Sequence, residues 1–323
     1  MSDIELSVVV PVYNEEGCLE ELHRRLTAVL ERAVAGYEIL FVNDGSADRS
    51  PEVLRALHRR DGRHVRVLSF SRNFGHEAAS TAGMQHARGR AVVLMDADIQ
   101  DPPEVIPELL ERWREGYDLV YAQRASRERE TPLKRATSFL YYRVMRRLAN
   151  LDLPRDTGDF RLMDRKVVDA FNQCRERNRF VRGLICWVGF RQTGIKFHRK
   201  PRYAGRTKYN YLKMTGLAVD SLVAFSIIPL RLATLIGAAV GVGSFVLFLA
   251  VLAEKLRGGS PQPGYALLGT GILLLGSVQI FLLGVIGEYI GRIYQETQRR
   301  PLFLVAEELD CTEREEEDPA DPG

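Results

Sequence analysis

The stretch "VLMDADIQDPPE", Val93–Glu104, sets an apolar run directly against four carboxylates, with two prolines before the last of them. "AVVLM" reads as a buried strand that has just ended. A solvated turn would account for some of the acids, and a helix N-cap with acid near the positive helix end for others. The prolines suit a first helical turn. Neither reading needs Asp96 at the strand end, close to Asp98 and Asp101, where the carboxylates repel one another. A cation shared between them does.

Working outward, apolar, β-branched runs recur at Leu6–Val12, Tyr37–Val42, Val65–Phe70, Ala91–Met95 and Asp118–Tyr121. Helical patterns separate them at Glu16–Ala35, Ser50–Arg60, Glu77–Ala87 and Glu104–Glu115. This alternation predicts an α/β domain with a mostly parallel sheet and helices on both faces. In such sheets ligands bind beyond the carboxyl ends of the strands. The segments there are "PVYNEE", "NDGSAD", "SRNFGHE", "DADIQDPPE" and "AQRASRERE", all polar. Their convergence predicts a site for a polar, charged ligand. No G-x-G-x-x-G follows the first strand and no G-x-x-x-x-G-K occurs, which argues against a dinucleotide enzyme or a P-loop NTPase.

The 323 residues are 46% hydrophobic and 27% charged, but these averages conceal a split. Leu232–Ala253 and Tyr265–Gly287 contain no charged residue, and each reaches the roughly 20 residues a membrane-spanning helix needs. "EKLRGGSPQPG" between them is rich in turn formers, so a hairpin is expected. Lys213, Arg231, Arg292, Arg299 and Arg300 flank the hairpin and favour a cytoplasmic location for the large domain, although Lys255 and Arg257 lie in the connecting loop. "MSDIELSVVVPVYNEE" lacks the basic start of a signal peptide. "GLAVDSLVAFSIIPLR", interrupted by Asp220, suits an interfacial helix. The predicted organisation is a cytoplasmic domain over 1–213, an interfacial segment over 214–231, a transmembrane hairpin over 232–292 and a C-terminal segment over 293–323.

The net charge of +3 is also a mean of unlike parts. Glu307–Gly323 holds nine acids and one arginine, leaving about +11 on residues 1–306. Such a tail reads as disordered and solvated, so its removal is expected to change little. Positive charge gathers at Arg124–Arg147 and Arg191–Lys213 and points to anionic lipid head groups rather than nucleic acid. Cys18, Cys174, Cys186 and Cys311 have neither metal-ligand spacing nor the look of a disulfide framework.

"VVVPVYNEE", "VNDGSADRS", "SRNFGHEAA", "MDADIQDPPE", "DTGDFRLMDRKVV", "RYAGRTKY" and "GEYIGRIYQE" occur in an order that resembles family-2 glycosyltransferases acting on polyisoprenyl phosphates. The chain looks most like the bacterial undecaprenyl- or polyprenyl-phosphate glucosyltransferases, with dolichol-phosphate mannose synthases more distant. The resemblance spans residues 5–306. It implies a Rossmann-like nucleotide-sugar transferase domain of the GT-A type, and inverting transfer from a nucleotide diphosphate sugar to a lipid phosphate. It further implies a multi-pass protein of the cell inner (plasma) membrane that forms a homo-oligomer. By resemblance, Pro11, Tyr13, Glu15 and Asp44 line the donor pocket, and Asp96 and Asp98 form the D-x-D pair with Gln100 nearby.

Mg²⁺ or Mn²⁺ suits that pair, because hard cations bridge carboxylates to substrate phosphates. Asp159 aligns with the proposed catalytic base, with Asp98 as the second catalytic acid. A phosphate monoester is already largely dianionic at neutral pH, so Asp159 is open to an orienting role, or to holding a neighbouring cation such as Arg161. Arg124, Lys134, Arg135 and Ser138 match acceptor-phosphate positions, with Arg202, Arg206 and Lys208 as further candidates. UDP-glucose is the first expectation for the donor and GDP-mannose the second. A processive polysaccharide synthase fits less well, because the only Arg-Trp pair, Arg112–Trp113, lacks the glutamine of Q-x-x-R-W. The intact acids argue against a non-enzymatic membrane adaptor.

Overall fold

The computed structural model describes residues 4–124, 157–177, 179–197, 228–257 and 265–311. Within these the chain divides into two compact units, and the second, Leu212–Arg299, interrupts the chain of the first.

The first unit alternates as the sequence predicts. It runs β1 (Leu6–Val12), α1 (Leu19–Ala33), β2 (Tyr37–Asn43), α2 (Ser50–Arg60), β3 (Val65–Phe70), α3 (His76–His86) and β4 (Ala91–Leu94). A 3₁₀ turn at Pro103–Val105 leads into α4 (Ile106–Arg114) and β5 (Leu119–Arg124). There follow β6 (Thr157–Asp164), α5 (Arg165–Gln173), α6 (Val181–Trp187) and β7 (Gln192–Phe197), and at the C-terminal side β8 (Val305–Leu309).

The strands form one sheet in the order β7-β5-β6-β4-β1-β2-β3-β8. The expected mostly parallel sheet is corrected to a mixed one. β6 runs antiparallel between β4 and β5, and β8 runs antiparallel to β3. The central strands are buried on both faces, which is why they read as continuous apolar runs. Val8, Val10, Ile39 and Phe41 join Leu22 and Leu26 of α1 and Leu109 of α4 in one core layer. On the other face α3 lies so close that a Cβ on Gly83 would sit 2.1 Å from Val9 Cγ1 and 3.2 Å from Val42 Cγ2.

β8 overturns part of the expectation for the acidic tail, since Glu307 and Glu308 lie in an ordered edge strand of the sheet, half-buried and exposed respectively, rather than in a disordered segment. Their charges are matched by distant arginines. Arg55 forks onto Glu307, and Arg66, 3% exposed, reaches Glu308 at 3.4 Å and Asp310 at 2.8 Å. Arg88 pairs with Asp310 at 2.6 Å, Phe303 stacks on Phe70 with centroids 5.0 Å apart, and Ser71 N donates to Leu304 O. Backbone pairing with β3, the Phe70–Phe303 stack and compensated charge make this short acidic strand a seated element of the domain.

The second unit contains α7 (Ile228–Leu256) and α8 (Tyr265–Thr297), which pack on each other where Gly237 faces Leu282. Among the described residues one stretch, Leu275–Thr297, is long and apolar enough to cross a membrane, and Ala233–Val246 is a shorter apolar helix. Most of the expected interfacial segment lies outside the described residues.

Candidate active site

The carboxyl ends of β1, β2, β3 and β4 meet at one edge of the sheet. The loops after β1 and β2 are laced together there: Asn14 N donates to Ser46 Oγ, Glu15 N to Ser50 Oγ, and Ala47 N to Asn14 Oδ1. This fixes Tyr13, 41% exposed, and Glu15 beside Asp44, while Pro11 is buried within β1. Asp44, 2% exposed, accepts from Phe74 N at 2.7 Å, Gly75 N at 3.0 Å and Asn73 Nδ2 at 2.8 Å. Burial raises its pKa despite these donors. The carboxylate thus fastens the loop after β3. Gly45, at φ +64°, permits that approach, because a Cβ there would lie 2.3 Å from the Arg72 carbonyl carbon.

The loop after β4 is equally determined. Asp98 Oδ1 accepts from Gln100 N at 3.1 Å, and Ile99 sits at φ 59° with its side chain buried. A β-branched residue in the left-handed region is held there only by its surroundings. Glu104, the last acid of the opening stretch, pairs with Arg25 of α1. Leu94 of β4 opposite Arg161 of β6 carries the antiparallel register towards Asp96 and Asp159.

His76, at the start of α3, lies between those two acids. Its Nε2 is 3.2 Å from Asp159 Oδ2 and 3.8 Å from Asp96 Oδ1. Arg182 of α6 donates from Nε and Nη2 to the two oxygens of Asp159 at 2.6 and 2.7 Å. Burial alone would raise the Asp159 carboxyl, but the Arg182 charge and fork, with His76, hold it well below the carboxylate range. Burial would lower His76, yet the Asp159 bond and charge, with Asp96, push it up to about 9. Asp96 is raised by burial and by the Asp159 charge. The expected partner Arg161 is buried and donates instead to the carbonyls of Gly158 and Asp159.

His76, Asp96 and Asp159 each offer an atom within 4.8 Å of the others, a grouping with metal-ligand geometry. It shares Asp96 with the D-x-D pair, and Asp98 stands outside it. Arg182 already engages both oxygens of Asp159 and the Asp159 bond raises His76, so of the three groups Asp96 is the one a hard cation would meet first. Substrate phosphate oxygens would complete such a shell.

Sequence reasoning missed Arg182 and His76. His76 lay in a motif already marked, "SRNFGHEAA", whereas Arg182 is the lone cation of an otherwise apolar short helix. Arg124 ends β5. Lys134, Arg135, Ser138, Arg202, Arg206 and Lys208 lie outside the described residues.

A GT-A-like α/β fold with acids after its fourth strand defines a nucleotide-sugar transferase. Residues 7–171 match glycosyl transferase family 2, and residues 228–293 match the GtrB C-terminal hairpin. The chain is 48% identical over 304 residues to the uncharacterized glycosyltransferase sll0501 of Synechocystis, covering 94% of this chain and 95% of that one. It is 49% identical over 302 residues to the uncharacterized glycosyltransferase YkcC of Bacillus subtilis, covering 94% and 93%. It is 40% identical over 305 residues to the bactoprenol glucosyl transferase of Shigella phage SfV, covering 94% and 99%. The chain belongs to glycosyl transferase family 2.

Proposed function

We propose that this glycosyltransferase moves glucose from UDP-glucose to a polyprenyl phosphate, with inversion at the anomeric carbon, at the cytoplasmic face of the plasma membrane. The observation that carries the chemistry is the fork of Arg182 on the buried Asp159 carboxylate, beside Asp96 and His76. The name of the phage relative supports the sugar and the acceptor. The match to a C-terminal hairpin and the apolar α7 and α8 support a multi-pass anchor over 232–253 and 265–287, with 214–231 in the headgroup layer.

In this reading Pro11, Tyr13, Glu15 and Asp44 border the nucleotide, with Asp44 acting through the loop it fastens. Asp96, Asp98 and Gln100 face the donor diphosphate. Asp96, with Asp98 in the adjoining turn, would hold Mg²⁺ or Mn²⁺, which would supply Lewis-acid stabilisation to the departing diphosphate. A phosphate oxygen of the acceptor forms the new bond to the anomeric carbon as the bond to the nucleotide diphosphate breaks.

The acceptor is already largely dianionic, so no proton need be taken from it. Asp159 instead sets the position of Arg182 and His76, the cations nearest the developing charge. Arg124, Lys134, Arg135, Ser138, Arg202, Arg206 and Lys208 are the proposed cradle for the acceptor phosphate, and the enzyme works as a homo-oligomer.

Membranes containing the protein, incubated with radiolabelled UDP-glucose, GDP-mannose or UDP-N-acetylglucosamine and then extracted, test the donor. Label in the lipid fraction from UDP-glucose alone is expected. Label from GDP-mannose alone would replace glucose with mannose.

A further inference from the structure

The end of the sheet remote from the candidate active site holds a cavity of about 310 Å³ lined by Arg88, Gly89, Arg90, Trp113, Asp164 and Arg165. Arg90 directly precedes β4 and Asp96 follows it, so β4 separates the cavity from the acidic edge by about 20 Å of extended chain. Three guanidinium groups face one carboxylate. Asp164 is already engaged, accepting from Trp113 Nε1 at 2.7 Å and from Lys166 N at 3.0 Å. Arg165 is pinned by the carbonyls of Ala87 and Gly89, which fix the guanidinium without neutralising it. Among the described residues neither Arg90 nor Arg165 has a carboxylate partner, while Arg88 is shared with Asp310.

The turn that presents these cations is rigid. Arg88 N donates to Glu38 Oε1 at 2.6 Å, Gly89 N to Ser7 Oγ at 2.7 Å, and Arg90 N to Ile4 O at 3.0 Å. Arg90 O in turn accepts from Arg165 N at 2.9 Å. Gly89 is required for this approach, because a Cβ would lie 2.5 Å from Ser7 N. The backbone therefore brings the cations of Arg90 and Arg165 to one concavity, where a shared anion would gain from both charges. The Arg165 guanidinium, fixed in advance by the Ala87 and Gly89 carbonyls through Nε and Nη2, offers Nη1 for a charge-assisted bond to a phosphate oxygen at low ordering cost. The volume admits more than one phosphate group.

We propose that this cavity is a second anion site, for a diphosphate or phosphate ester, separate from the transferase centre. The chemistry is common to a soluble diphosphate and to a phospholipid headgroup, and the test separates these two sources. The protein has two tryptophans, and Trp187 is 63% exposed, so Trp187→Phe leaves Trp113 as the reporter of the cavity.

The full chain carrying that change, in phosphatidylcholine nanodiscs with EDTA at low salt, is titrated with inorganic pyrophosphate. Calorimetry reads binding and Trp113 emission reads its location. A saturable response in both is expected, with Arg90→Gln weakening it about tenfold, the loss of one charge-assisted contact. Arg90 is exposed, so this variant keeps the fold. A Trp113 response that appears only in phosphatidylglycerol nanodiscs, and is lost in Arg90→Gln, assigns the site to lipid headgroups. Silence of Trp113 in both arms, or binding that Arg90→Gln leaves unchanged, overturns the proposal.

Discussion

Arg182 holds both oxygens of Asp159, at 2.6 and 2.7 Å, across 23 residues of sequence. The carboxylate is 5% exposed, whereas the Arg182 side chain is 42% exposed. One partner is sequestered and the other open to solvent, so the pair presents a cation whose position the buried acid dictates. Replacing Arg182 with Gln should lower turnover about 100-fold, the scale of a misplaced catalytic group, with donor affinity nearly unchanged. Lysine should rescue little, since it cannot make the fork. The double variant with Asp159→Asn should be no worse than the worse single variant, because both remove the same pair. Additive losses measured in that cycle would separate the two residues.

Asp159→Asn should lose turnover by a factor that does not shrink between about pH 7 and 9, and that grows if His76, no longer held up by Asp159, loses its proton there. The reason lies in the acceptor, whose second phosphate pKa near 6 leaves it dianionic over that range. Turnover and donor binding measured for both proteins check this. A defect that shrinks steadily as pH rises would instead mark Asp159 as a proton acceptor.

The strands were legible because burial on both faces leaves them as unbroken apolar runs, and the acids after β4 because their repulsion needs a cause. Arg182 was not legible. Nothing in "RFVRGLICW" tells which of its two arginines, Arg179 or Arg182, meets an acid on β6. β8 was missed for the opposite reason. Acids read as solvated when their partners, Arg55 and Arg66, lie more than 240 residues away.

Ending the chain at Cys311 leaves every contact of β8 described above in place and should leave stability unchanged. Ending it at Leu302 removes the Phe70–Phe303 stack, the edge pairing of β3 and two of the partners of the nearly buried Arg66. A loss of about 2–3 kcal/mol is expected from these terms. That lowers Tm by roughly 5–10 °C in a domain of this size. Equal melting of the two truncations would return β8 to the status of a solvated tail.

The same strand sets an acid limit on stability. The Arg55 bond holds Glu307 below its ordinary value of 4.5. Burial works against the shift at Asp310, but Arg88 and the Cys311 amide outweigh it and hold it below 3.8. A depressed folded pKa gives stability that is complete above the ordinary value and is lost as pH falls through the folded one. The Tm difference between the native chain and Arg55→Gln should therefore be constant well above 4.5 and narrow progressively as pH falls below it. A difference that persists undiminished to the lowest pH at which the protein melts would place the effect elsewhere.

The most direct test of the account is the lipid product itself. Purified full-length protein is given UDP-glucose, undecaprenyl phosphate and Mg²⁺, and the anomeric configuration of the lipid-linked sugar is read by NMR. The account predicts a glucosyl phosphate lipid with configuration opposite to that of the donor, and none from Asp96→Asn. Retained configuration, or glucose released to water while the lipid phosphate stays unmodified, would contradict it.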